Sequence, residues 1–562
     1  MPEFDVVVRG GTVVDGTGIP RYQADVAVKD GRIAMISGKI PASGAKELDA
    51  SGCIVAPGVI DLHTHYDAQL NWDPYATLSG WFGITTVTIG QCGFGFAPVR
   101  PDDRDLSMRM MNRIEAIPLE SMRLGIRWDW ETYPEFLDSL SNQGLGVNVA
   151  SLFPFSPLRG YVMGMLPARE KPKATDEELA QMKQLFREGM KAGSFGFAFD
   201  RNEEDRAEDG GPIPSHTASY EEPLALAEVL SEFGVGWMGW TIGISPDQEG
   251  QLENLTKMLK ASGRPLHVGT GPGPSGEAWV KERREEGFPV AHQSVGCFVD
   301  TRYSLAEFNQ FDYMPSWARS LLGTPEERAA KLRDPEIREG MKREAAEGLH
   351  PRTNWIKTKV LEVVHERNHQ YEGLTIPQLA EKMGGIHPVD ALIELSLDEG
   401  LRTEFGFLND GPEVEESRAR SILNPYTHVS VSDGGAHTRF SVLARWPVAF
   451  LSHWVRDKEL LTLEQAHYKI SAYPAWIAGY HNRGMLRMGK AADMIVYNLA
   501  ELGLLYDMPI YSNDFPGGER RLVQKAKGLR YTMVNGVVTF EDSNCTDALP
   551  GKLLRSYEES FS

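Results

Sequence analysis

His63 and His65 stand two residues apart at the end of the apolar run APGVIDLHTH. On an extended chain that spacing puts both imidazoles on one face, where they can share one metal ion while Asp61, one layer deeper on the same face, orients a ring nitrogen. Cys92 ends the next apolar run, ITTVTIG, just before a turn rich in glycine (Gly93, Gly95). A thiolate there would join the two imidazoles in a soft donor set that favours zinc. A later β-run, HVSVSDGGAHTR, stops at Asp433 and is followed by two glycines that free the backbone to turn. The Asp433 carboxylate reads as a metal ligand, as the base that takes a proton from metal-activated water, or as a cap for the following turn.

Donors this far apart in sequence meet only if a regular scaffold aligns the ends of their strands. From Gly58 the chain alternates short apolar strands (VIDLHTH, ITTVTIG, GVNVASL, SFGFAF, GVGWMGW, PLHVGT, THVSVSD) with helical stretches such as residues 176–193 and 221–234. This predicts an α/β fold, a distorted (β/α)8 TIM-like barrel over residues 58–483, with WIKTKVLEVV as a further strand. In such a barrel the carboxyl ends of the strands carry the site. Residues 1–57 instead read as short β-branched strands, with a tight hairpin at Lys29-Asp30-Gly31-Arg32, and residues 484–562 repeat that style. Each end has too few strands to bury a core alone, so the two are expected to pair into one composite β-sandwich domain. An insertion is expected at about 298–350, carrying one charged amphipathic helix, TPEERAAKLRDPEIREGMKREAAEG. That helix reads as a lid, a homo-oligomer contact or a solvated face.

Charge narrows the partners. Among 562 residues, 58 Lys+Arg face 78 Asp+Glu, a formal charge of −20, with no basic run to offset it. A polyphosphate would be repelled, so no nucleic acid is expected, and a small-molecule substrate is. No apolar stretch is long enough to span a bilayer and none has signal-peptide form, so no membrane association and a cytoplasmic location are expected. The four widely spaced cysteines suit a reducing compartment.

Together VRGGTVVDGTG, APGVIDLHTHYD, TTVTIGQCGFGFAPVRP, VSDGGAH and GKAADMIVYNL resemble the amidohydrolase superfamily, and within it the N-acyl-D-amino-acid deacylase branch, over essentially the whole chain. The resemblance implies a zinc-dependent hydrolase of an amide C–N bond, with His63, His65 and Cys92 as metal ligands and Asp433 as base and possible ligand. It also implies two further ligand histidines. The fifth barrel strand, GVGWMGWTIG, has Trp237 and Trp240 but no histidine. On the sixth, Thr270 stands where the second is expected, and His267, three residues earlier, is either a ligand or a core residue. No lysine is available on SFGFAFD to bridge two metals, so one divalent ion is expected.

Arg159, in SLFPFSPLRGYVMG, reads as a clamp for a substrate carboxylate or as a structural ion pair. His437 and Arg439, just beyond Asp433, are near enough to reach substrate; the acidic loop 200–211 and His216 stay without a role. Because fold does not set reaction, the same scaffold acting on a cyclic imide, lactone or C–C bond stays open, as does a metal-free binding protein.

Overall fold

The computed structural model describes residues 2–241, 248–269, 273–306, 311–347, 355–506 and 508–561. It is a mixed α/β fold. The two chain ends share one nine-stranded sheet. Ile54–Pro57 pairs antiparallel with Met494–Tyr497, which pairs in turn with Leu529–Val534. Alternation explains the pairing: Val6, Val8, Val26 and Val28 from the first end pack with Met494, Val496 and Met533 from the second. The other face turns Ile495, Tyr497 and Leu529 into the main core. The expected hairpin joins Tyr22–Lys29 to Arg32–Ser37, with Asp30 at φ 52° and Gly31 at φ 72°, the left-handed pair that matches strand twist.

The site rests on parallel strands, β1 Val59–Asp61, β2 Ile84–Ile89, β3 Asn148–Ser151, β4 Gly196–Asp200, β5 Trp237–Thr241, β6 Leu266–Val268, β7 Val290–Ser294 and β8 Thr427–Val429. β1–β2–β3 form one parallel sheet, and β8–β7–β6–β5–β4 with Phe153–Pro154 form a second. Backbone hydrogen bonds link their margins. Phe195 N–H donates to Ser151 O at 2.9 Å on one side, and Leu62 N–H donates to Ser430 O at 3.3 Å on the other. Ile60, Leu62, Ala150, Leu152, Ala198, Trp237 and Ala291 meet in a single buried cluster between the sheets.

Two strand expectations change. The strand between β6 and β8 is β7, in PVAHQSVG, which is too short and polar to stand out in sequence. WIKTKVLEVV supplies no parallel strand. Lys359–Glu362 pairs antiparallel with Glu404–Asn409, which also pairs with Val299–Tyr303, in a separate three-stranded sheet. This excursion has its own core, including Tyr303, Phe311, Trp317, Val360, Ile376, Leu392 and Phe405, and so runs well past residue 350. Its expected single helix is two, Pro325–Arg333 and Pro335–Glu347. Pro335 has no N–H and disfavours helical backbone at Asp334, whose carboxylate instead accepts from Glu336 N–H at 2.8 Å.

Candidate metal centre

β1 ends at Asp61, so His63 and His65 lie on the loop just beyond the pleat, yet both rings reach one point. His63 Nε2 lies 3.2 Å from Cys92 Sγ, and His65 Nε2 lies 3.9 Å from it. Asp433 Oδ1 stands 3.4 Å from His63 Nε2 and 3.9 Å from His65 Nε2. The ligand atoms of His63, His65 and Cys92 all fall within 4.8 Å of one another, the one such group of three among the described residues. Metal bonds of ~2.0–2.3 Å put neighbouring donors roughly 3.3–3.6 Å apart, so donors at this spacing could share an ion. Without a cation the cluster is costly. Burial pushes the Cys92 thiol well above its ordinary range, with Glu115 and Asp200 adding to the rise, and burial beside His63 pulls His65 down to about 3. A cation reverses the first preference, because it binds thiolate, and suits the second, because it binds neutral imidazole.

Backbone strain holds the donors in place. Cys92, Asp433 and His437 all have left-handed φ, at 54°, 49° and 51°. Such conformations cost on the order of 1–3 kcal/mol each and persist only where the surroundings impose them. Here Gly435, φ 91°, lets the Asp433 loop run against β1: a Cβ on it would lie 2.6 Å from His65 O. Asp433 N–H and His65 N–H then tie the segments together, donating to His63 O at 3.1 Å and Gly434 O at 2.7 Å.

The partners of the rings differ from the expected one. Asp61 does not touch a ring nitrogen, because the alternation of β1 has ended before His63. Its Oδ1 accepts from His63 N–H at 3.1 Å and its Oδ2 from Trp446 Nε1 at 3.1 Å. Gln293, on the unrecognised β7, takes that role, with Oε1 3.0 Å from His63 Nδ1. For His65 the neighbour is Glu115, whose Oε1 is 3.5 Å from Nδ1. Burial holds the Glu115 carboxyl well above the usual range, with Asp205 and Asp433 adding to it. No motif marks Glu115 or Gln293: Glu115 is a polar residue amid apolar ones (IEAIP), and Gln293 sits in a short polar run (VAHQS). Thr241, at the end of β5, donates to Cys92 Sγ at 3.1 Å.

His437 joins the site, its Nε2 3.2 Å from Glu115 Oε2. Arg439 is drawn aside to Glu519. The unassigned His216 places Nε2 3.0 Å from Asp200 Oδ2, at the end of β4.

Arg159 is not a clamp for substrate. It is fully buried, with Nε 2.8 Å and Nη2 3.2 Å from the Glu222 carboxylate, and its remaining donors go to Ala168 O, Lys171 O and Thr217. Every face of the guanidinium is used, so none is left for a ligand. The helix Phe155–Met163 turns this residue inward, an orientation that the residue type alone does not disclose.

His267 is a core residue. Its ring stacks on Trp237 at 4.0 Å between centroids and lies 5.0 Å from the His428 ring, and it is not part of the group formed by His63, His65 and Cys92. Thr270 lies outside the described residues. Burial lowers His267 to about 3 and His292 to about 4, and lowers His428 further with His267 adding. The unfolded chain therefore binds protons that the folded one refuses once pH drops below the ordinary value near 6.5, so folding stability falls as pH goes from about 6.5 to about 4, by roughly 1 kcal/mol per unit for each histidine. Replacing one of them, His292→Asn, is expected to flatten the pH dependence of the melting temperature over that window. An unchanged slope would mean that other groups govern acid stability.

The amidohydrolase family model matches residues 46–347 and 422–540, leaving out much of the excursion. The chain is similar to D-aminoacylase of Alcaligenes xylosoxydans xylosoxydans, 25% identical over 98% of this chain and 97% of that one. Its fold matches a solved structure of N-acyl-D-glutamate deacylase from Bordetella bronchiseptica, complexed with zinc and a phosphonate inhibitor, at TM-score 0.66 and 24% identity, covering 98% and 99% of the two chains. A D-aminoacylase solved to define the role of its binuclear metal center matches at TM-score 0.66 and 22% identity, over 98% of this chain and 100% of that one. No helix among the described residues is long and apolar enough to cross a membrane. The chain belongs to the amidohydrolase family, hydrolases of carbon–nitrogen bonds other than peptide bonds.

Proposed function

We propose that this chain is an N-acyl-D-amino-acid deacylase-like amidohydrolase that works with one divalent ion, zinc, held by His63, His65, Cys92 and Asp433. One observation carries the reading: four donors from three segments converge, and Asp433 keeps 26% of its side-chain surface open while His63 and His65 keep 8% and 2%. When bound, the ion polarises the substrate carbonyl and makes water acidic enough to deprotonate near neutral pH. Asp433, the most exposed of the four donors, takes the proton of the attacking water and delivers it to the departing nitrogen. His437 is assigned to substrate contact, in support of the developing oxyanion. Gln293 keeps the His63 imidazole in the tautomer and orientation that present Nε2.

The scaffold in this proposal is a distorted (β/α)8 barrel made of β1–β8, supported by the hydrogen bonds between the margins of the two parallel sheets. Residues 1–57 and 484–562 make up the composite β-sandwich domain, supported by their shared sheet. The barrel takes residues 58–483, with the excursion as its insertion between β7 and β8. Four unpaired cysteines suit a cytoplasmic location.

The test is a panel of N-acetyl-D-amino acids, their L enantiomers, cyclic imides and lactones, run on protein purified without chelator and assayed for metal. Turnover of at least one N-acyl-D-amino acid, lost on chelation and restored by zinc, is expected. Metal bound but no amide hydrolysed would shift the reading to another bond. Well under one equivalent of metal, with activity indifferent to chelator, would remove the metal.

A further inference from the structure

Glu115 is the unassigned group with the most direct geometric claim on the centre. It follows the last residue of the helix Arg104–Ile114, α1, and its side chain is 3% exposed. One carboxylate oxygen faces a candidate ligand, His65 Nδ1, at 3.5 Å, and the other faces His437 Nε2 at 3.2 Å. Its backbone oxygen accepts from His437 N–H at 2.7 Å. Neither His65 Nδ1 nor Glu115 Oε2 has a hydrogen-bond partner elsewhere among the described residues. A carboxyl group this deeply buried is expensive, and these two imidazoles are the groups that face it.

We infer that Glu115 is a positioning residue that couples the metal ligand His65 to the substrate-side His437. This rests on the reading that His63, His65 and Cys92 hold a metal ion. An acceptor at Nδ1 fixes which nitrogen of His65 carries its proton and aims Nε2 at the centre. The same carboxylate, through its second oxygen, sets the ring of His437, so one side chain aligns a ligand and a substrate contact at once.

The excursion steadies both halves of this link. Arg113, two residues before Glu115, donates Nε to Asp312 Oδ2 at 2.9 Å. Beyond His437, Phe440 N–H donates to His437 O at 2.8 Å, and Phe440 O accepts from Arg302 N–H at 2.8 Å. Ala116 and Phe440 both pack in the excursion's own core. The strand-and-helix excursion thereby holds α1 and the Asp433–Phe440 loop at a set separation across Glu115.

The test measures zinc affinity by competition with a chromogenic chelator, and the melting temperature with and without zinc, for wild type, Glu115→Gln and Glu115→Leu. Gln keeps an acceptor for His65 and is expected to lose about 10-fold in affinity; Leu keeps none and is expected to lose about 100-fold. The zinc-induced rise in melting temperature shrinks in the same order, while the metal-free melting temperature holds or rises, since a buried carboxyl has been removed. Affinity within twofold of wild type in both variants would overturn the inference. So would equal lowering of the metal-free and zinc-bound melting temperatures at unchanged affinity, which is the mark of packing alone. Because binding is read without substrate, a wild-type protein that binds zinc yet hydrolyses no amide leaves this test intact. A wild type that binds no zinc overturns both readings.

Discussion

Asp433→Asn is expected to lower kcat by about 10²- to 10⁴-fold, the range lost with a general base, while zinc content and the far-ultraviolet spectrum stay those of wild type. Asparagine keeps the size and one carbonyl oxygen of the side chain, so the left-handed turn at φ 49° and the bond from Asp433 N–H to His63 O survive. His63, His65 and Cys92 still provide donors within 4.8 Å of one another, enough to retain an ion. What disappears is the proton acceptor, because an amide is not basic near neutral pH. The measurement is steady-state kinetics on the best substrate of the panel beside metal analysis of the same preparation. Near-normal kcat would show that another group takes the proton. Loss of zinc together with activity would show that Asp433 matters first as a ligand.

Arg159→Met is expected to destabilise the fold by about 3–5 kcal/mol, because it leaves the Glu222 carboxylate buried without its partner. Glu222 is 1% exposed and would retain only the N–H groups of Ala174 at 3.1 Å and Ser219 at 3.4 Å. The double variant Arg159→Met with Glu222→Leu is expected to recover much of that loss, since breaking a buried pair costs more than replacing both members. Melting temperature and KM separate the two roles weighed for this arginine. A large drop in melting temperature with unchanged KM supports the internal ion pair. Raised KM at wild-type stability would restore the carboxylate clamp.

The same arginine illustrates why side-chain roles outrun sequence. Arg159 and Asp433 each sit in segments whose composition permits a substrate-facing role, and each carries a charge. Only the packing separates them: a helix turns Arg159 inward to Glu222, while the Gly434–Gly435 turn presents Asp433 at the donor cluster. Asp61 shows the limit of alternation in the same way. The period of two holds only while the strand continues, and β1 stops at Asp61 itself, before His63.

By itself the sequence disclosed the candidate donors, the shared sheet of the two chain ends and the hairpin at Asp30-Gly31. These follow from short-range rules: hydrophobic alternation, glycine in left-handed turns, and the metal preference of imidazole and thiolate. Tertiary structure alone decided that Gln293 and Glu115 back the two histidines, that His267 belongs to the core, and that Lys359–Glu362 joins a separate antiparallel sheet. The physical reason is that such contacts join residues far apart in the chain. His63 and Gln293 touch across 230 residues, and no local pattern records which distant side chain will fill the space beside a given ring.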